Sequence, residues 1–187
     1  MSIALILIDI QNDYFPGGTM ELVGADRAAE QAAKLLGTFR LRDLPVIHIQ
    51  HIAARAGATF FLPGTIGAEI HESVRPKQSE PVFQKHFPNS FRETPLLDHL
   101  HGEGISQLVI AGMMTHMCVD TTIRAATDLG FSCSLAHDAC ATKALSFDGV
   151  QVSAEQVQIS YLAALNGLFA KVISVNDLIP DIQGTLE

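Results

Sequence analysis

The sequence predicts an α/β protein: a parallel sheet of six strands with helices on both faces, the three-layer α/β/α arrangement of Rossmann-like proteins. Three observations carry this. Six short apolar or β-branched runs bounded by turn residues recur along the chain, and segments with the 3.6-residue spacing of amphipathic helices lie between several of them. The 187 residues are 48% hydrophobic and only 17% charged, with a mean hydropathy of +0.24, enough to fill a sizeable core in one domain spanning 1–187. Strands buried on both faces read as continuous apolar runs, and regular alternation with helices gives parallel pairing.

The first strand is Ile3–Ile8, stopped by Asp9. It is far shorter than the roughly 20 apolar residues of a membrane span and lacks the basic stretch that opens a signal peptide. Ala25, Ala28, Ala29, Ala32, Leu36 and Phe39 form the apolar stripe of a first helix, and Pro45–Gln50 reads as the second strand. The segment 51–81 breaks the rhythm, with Gly57, Pro63, Gly64, Gly67 and Pro76 spread through it. An excursion of this length is usually functional, which makes Phe60 and Phe61 candidate pocket walls. Strands follow at Pro81–Gln84 and Gln107–Ala111. A helix is expected from about Cys118, with Val119, Thr122, Ile123, Ala126 and Leu129 inward and Gly130 at its end. After a strand at Phe131–Ala136, Ser153 with Gln156 forms a possible capping box for a helix running through Val157, Tyr161, Ala164, Leu165 and Leu168, and Lys171–Val175 is the last strand. No internal repeat or low-complexity tract interrupts the pattern.

Composition excludes several function classes. Twelve Lys plus Arg against twenty Asp plus Glu give a net charge of −8, and no basic stripe is present, so a nucleic-acid partner is not expected. Three cysteines, Cys118, Cys133 and Cys140, are odd in number and lack Cys-x-x-Cys spacing, which argues against a disulfide framework and for a reducing cytoplasm. No Gly-x-Gly-x-x-Gly follows the first strand, against a dinucleotide cofactor.

In a doubly wound sheet, ligands bind beyond the carboxyl ends of the strands. Asp9 ends the first strand, Lys85 follows the third, and Cys118 follows the fourth where a helix opens and its dipole favours a thiolate. A carboxylate, an ammonium and a thiol above one sheet edge can form a nucleophilic site: the cysteine attacks, the carboxylate takes its proton, and the lysine favours the charged forms. Each residue alone has an ordinary alternative, as a loop cap, a solvated lysine or a small buried hydrophobe.

The run Leu7 to Tyr14, the stretch Lys85 to Phe91 with Thr94-Pro95-Leu96, and Ala111 to Val119 together resemble the isochorismatase-like cysteine hydrolases, and Asp138-Ala139 and Val152 to Asp177 extend the likeness over nearly the whole chain. The resemblance implies a six-stranded parallel sheet and an Asp-Lys-Cys triad that hydrolyses a carbon–nitrogen bond in a small amide through a thioester, without a cofactor. Carried over, Cys118 is the nucleophile, Asp9 the general base and later acid, and Lys85 their electrostatic partner. It also implies a cis peptide at Met113–Met114, with the N–H groups of Met114 and Cys118 as the oxyanion hole, where each donor supplies about 3 kcal/mol.

Nicotinamidases of this family hold a metal with an Asp-x-His and a further His. Here the corresponding region reads Val46-Ile47-His48-Ile49-Gln50-His51-Ile52, with no Asp two residues before either histidine. On one strand His48 and His51 point to opposite faces, so no metal is expected and a structural or pocket-lining role is favoured for both. By position Tyr14, Phe60 and Phe61 line the substrate pocket, His116 is a further candidate within the cysteine loop, and the protein is expected to be a homo-oligomer. Two other outcomes stay open: vinyl-ether hydrolysis, which does not need the thiol, and an inactive binding module on the same fold.

Overall fold

A computed structural model describes residues 2–184. Its strands are β1 (Ser2–Ile8), β2 (Val46–His51), β3 (Val82–Lys85), β4 (Ile105–Met113), β5 (Ser132–Ala141), β6 (Leu145–Phe147), β7 (Val150–Val152) and β8 (Lys171–Ile173). Six of them form one sheet in the order β3-β2-β1-β4-β5-β8 with every pair parallel, while β6 and β7 make a separate antiparallel hairpin. From β1 the chain winds outward to β3, then returns to β4 and winds the other way. The direction therefore reverses between β1 and β4, where α/β sheets leave a crevice at their carboxyl edge.

Five helices cover the sheet: α1 (Ala25–Leu41), α2 (Leu96–Gly102), α3 (Asp120–Asp128), α4 (Ala154–Leu165) and α5 (Val175–Gly184). Alternation along β1 divides the core. Leu5 and Leu7 pack with Leu35, Leu36 and Phe39 of α1 and Leu178 of α5; Ala4, Ile6 and Ile8 pack with Leu100 of α2, Ile123 of α3 and Leu165 of α4. Alanines at 25, 28, 29 and 32 bring α1 close to the sheet, and burying Leu35, Leu36 and Phe39 contributes about 1.5–3 kcal/mol each. The capping box of α4 forms: Ser153 Oγ accepts from Gln156 N–H and Gln156 Oε1 accepts from Ser153 N–H.

The six expected strands are present, with shifted ends. β2 runs through His51 and β3 through Lys85, so both side chains belong to strand ends. Cys118 does not open a helix. It lies in a π-helical turn, Thr115–Val119, that precedes α3, and Leu129 falls past the end of α3 and is exposed. Gly130 takes φ +93°, as a helix-ending glycine does. α4 stops at Leu165 because Asn166 leaves helical geometry and Gly167 turns at φ +88°, leaving Leu168 exposed. The last strand ends at Ile173, and Val175 begins α5. The excursion after β2 holds two short 3-10 turns, Ile66–Ala68 and Glu72–Val74, and arches over the carboxyl edge. Among the described residues, no helix is long and apolar enough to cross a membrane.

Candidate active site

Asp9 is the first residue after β1. Its N–H still bonds Ile49 O at 3.0 Å, but φ turns to +51° and swings the chain out of the sheet with the carboxylate fully buried. Gly112, opposite Ile8 in β4, makes this possible: a Cβ there would lie 2.1 Å from Ile8 O. Two residues on, the Met113–Met114 peptide is cis, and Met114 O accepts from the N–H groups of Met117 and Val119 to close the turn that carries Cys118. Lys85 ends the edge strand β3 in register with His51, so its side chain reaches past β2 towards the switch point.

Asp9 and Cys118 converge on the ammonium of Lys85. Its Nζ lies 2.7 Å from Asp9 Oδ2 and 3.1 Å from each of Cys118 Sγ, His51 Nδ1 and Phe87 O. Both members of the Asp9–Lys85 pair are buried. The pair is close but poorly aligned for a hydrogen bond, and neither Asp9 oxygen has another partner among the described residues. An ammonium has three protons and here faces four acceptors. Its three hydrogen bonds go to Cys118 Sγ, His51 Nδ1 and Phe87 O, which leaves the Asp9 carboxylate without a donor and able to take the proton of the neighbouring thiol.

Burial pushes the Cys118 thiol well above its ordinary range, and the Asp9 carboxylate pushes it further, against the lowering effect of Lys85. The sequence expectation that the lysine favours a resting thiolate is thus corrected: desolvation and the carboxylate outweigh the ammonium and the nearby helix start. Lys85 is pushed down by burial but held above its ordinary value by Asp9 and Cys118, so it stays an ammonium.

Sequence reasoning does not single out His51 for this cluster, although it ends β2 as Lys85 ends β3. Gln11 fixes its backbone from both sides, with Nε2 donating to His51 O at 2.9 Å and Oε1 accepting from His51 N–H at 2.8 Å. His48 does point to the opposite face, where Nε2 meets Glu80 at 3.0 Å. Donor atoms of Asp9, His51 and Cys118 lie within 4.8 Å of one another, a set that could hold a metal ion, but Lys85 Nζ is in contact with all three and already supplies the cation.

The remaining candidates divide. Tyr14 and Phe61 are buried and meet edge to face at 4.7 Å, Phe60 packs 5.0 Å from Phe61, and Phe61 lies 5.9 Å from the His51 ring. Burial, Cys118, Asp9 and Asp13, in that order, raise the Tyr14 hydroxyl well above its ordinary value, so the phenol stays neutral beside the site. Phe61 adopts φ +54°, and its N–H donates to Asp13 Oδ2 at 2.6 Å, while Asp13 Oδ1 accepts from Thr19 Oγ1 at 2.8 Å. Asp13 and Gln11 lie in the motif read from sequence, but nothing in a linear pattern assigns them loop-fastening roles. His116 is turned to the other side of the cysteine loop, with Nδ1 2.5 Å from Thr142 Oγ1 and its ring edge-on to Tyr161.

The family model described as the isochorismatase domain matches residues 3–177. The chain is 51% identical to the isochorismatase family protein YddQ of Bacillus subtilis over 172 residues, covering 92% of this chain and 96% of that one. A crystal structure from Oleispira antarctica, assigned to the isochorismatase hydrolases, superposes with a TM-score of 0.92 at 50% identity, covering 96% of each chain. The maleamate amidohydrolase of Pseudomonas putida is 30% identical over 142 residues, 68% of this chain and 67% of that protein.

Proposed function

The chain belongs to the isochorismatase family of hydrolases, and from that premise we propose that it cleaves the carbon–nitrogen bond of a small amide through a thioester on Cys118. The observation that carries this is the single buried ammonium of Lys85 in contact with both the Asp9 carboxylate and the Cys118 sulfur. At rest the site holds a thiol, a carboxylate and an ammonium. Transfer of the thiol proton to Asp9 leaves a thiolate, a carboxylic acid and the same ammonium. Net charge is unchanged, and the negative charge moves between two atoms already beside Lys85, so a step that would be costly in a desolvated pocket is made accessible.

Sγ then attacks the amide carbonyl, and the N–H groups of Met114 and Cys118 are assigned to the developing oxyanion. As the carbon–nitrogen bond breaks, Asp9 returns the proton to the leaving amine, and the acyl group remains on Cys118. Water, deprotonated by the same carboxylate, attacks the thioester and releases the acid, and the thiol regains its proton. The aromatic wall of Tyr14, Phe60 and Phe61 suits a flat acyl group. A relative named as an amidohydrolase supports amide over vinyl-ether chemistry.

Wild type and Cys118→Ala, incubated with a panel of small aryl and unsaturated amides, provide the test. Ammonia release by wild type and its loss by at least a thousandfold in the variant are expected; turnover retained in Cys118→Ala overturns the covalent route.

A further inference from the structure

Nothing in the triad's chemistry requires His51, yet it is held more firmly than a wall residue needs to be. Both backbone polar groups are tied by Gln11, and Nδ1 lies 3.1 Å from the Lys85 ammonium. An ammonium only donates, so Nδ1 must accept and the imidazole must be neutral with its proton on Nε2. Protonation would set two donors against each other. Burial agrees, pulling His51 down to about 4, with Lys85 and His86 acting in the same direction and Asp9 against it. The two ring nitrogens diverge, so Nε2 faces away from Lys85. Among the described residues it makes no hydrogen bond, and the half-buried ring stands 5.9 Å from Phe61 in the aromatic wall. One of its nitrogens is within 4.8 Å of Cys118 Sγ.

We infer that His51 is a fourth functional residue, a fixed neutral donor whose Nε2–H binds a hydrogen-bond acceptor on the acyl part of the substrate. This rests on the amidase assignment and narrows its substrate class: flat amides whose acyl group carries a carboxylate, carbonyl or ring nitrogen near the scissile carbonyl. A site with such a donor rejects an isostere lacking the acceptor, because binding leaves the N–H desolvated and unpaired.

Matched pairs decide it: the three pyridinecarboxamides against benzamide, and maleamate against cis-crotonamide. In wild type, at least one acceptor-bearing amide should exceed its partner tenfold or more in kcat/KM. The preference should fall to within twofold in His51→Ala and recover in part in His51→Gln, which keeps an acceptor and a donor. Equal turnover within every pair, or a preference that survives His51→Ala, overturns the inference. If no amide is hydrolysed, the amidase assignment fails, and the same pairs titrated into the protein still decide the role of His51: tighter binding of an acceptor-bearing member, lost in His51→Ala, supports it, and equal or absent binding of both members overturns it. Nitrogen-15 NMR of the wild type checks the state directly. It should show the Nε2–H tautomer at pH 7, and an Nδ1–H tautomer or an imidazolium there contradicts the inference.

Discussion

Replacing His51 with Gln should flatten the acid side of the protein's stability curve. In the folded chain the imidazole lies at about 4 against an ordinary 6.5, chiefly because burial disfavours its charged form. At about 1.36 kcal/mol per pH unit, that difference corresponds to about 3.4 kcal/mol. The residue is only half-buried, so solvent screening reduces this by somewhat more than half, to about 1.5 kcal/mol. The folded value is depressed, so the unfolded chain binds the proton more readily. The contribution is fully present above pH 6.5 and is lost as pH falls towards 4. Urea denaturation of both proteins at about pH 7.5, 5.5 and 4 measures it: between the first and last pH the wild type should lose about 1.5 kcal/mol more than the variant. His48, His71 and His116 are also held below their ordinary value, but they are common to both proteins and drop out of the difference. Parallel pH profiles, or a steeper fall in the variant, would refute the assignment of His51 as a neutral, desolvated imidazole.

Lys85→Met preserves volume but removes the ammonium from a buried pair, leaving Asp9 uncompensated. Stability near neutral pH should fall by about 3–5 kcal/mol in urea denaturation and turnover should be abolished, whereas a loss under about 1 kcal/mol would show that the pair is not desolvated. Gly112→Ala places a Cβ 2.1 Å from Ile8 O at φ +145°, so the ends of β1 and β4 must separate. A loss of about 3 kcal/mol in the same assay is expected, with kcat falling at least tenfold. Asp13→Ala strips the Phe61 N–H of its acceptor; about 2 kcal/mol of stability should go, and KM should rise more than kcat falls if this carboxylate sets the aromatic wall.

The strands that build the site are legible in the sequence because a parallel sheet buried on both faces leaves a plain trace: apolar runs such as Ile3–Ile8 that stop at a polar residue. Taking the residue after each such run gives Asp9 and Lys85, and the loop that follows the fourth run carries Cys118. The same rule applied to β2 gives His51, the residue after the run that closes at Gln50, but a histidine there has an ordinary reading as a pocket wall, and its place beside Lys85 emerges only from the folded structure. α2 has only seven residues, too few to show a clear period, whereas α5 carries the apolar stripe Val175, Leu178, Ile179 and Ile182 but is obscured because its first residue reads as the end of the last strand and Pro180 interrupts it. The environment of Cys118 escapes the sequence for a different reason. A cation and a helix start can be read from neighbouring residues, whereas desolvation by the core and the approach of Asp9 from β1 depend on tertiary packing. Likewise, the bonds from Gln11 to His51 and from Asp13 to Phe61 join residues 40 and 48 positions apart, a distance at which no local spacing reports a contact.

The most direct test of the central claim is acid-quenched intact-protein mass spectrometry during turnover of an amide that the wild type hydrolyses. A mass increase equal to the acyl group should appear, map to the peptide containing Cys118, disappear on hydroxylamine treatment and be absent in Cys118→Ala. Sustained turnover with no acyl adduct on Cys118, and with activity surviving its alkylation, would contradict the thioester route.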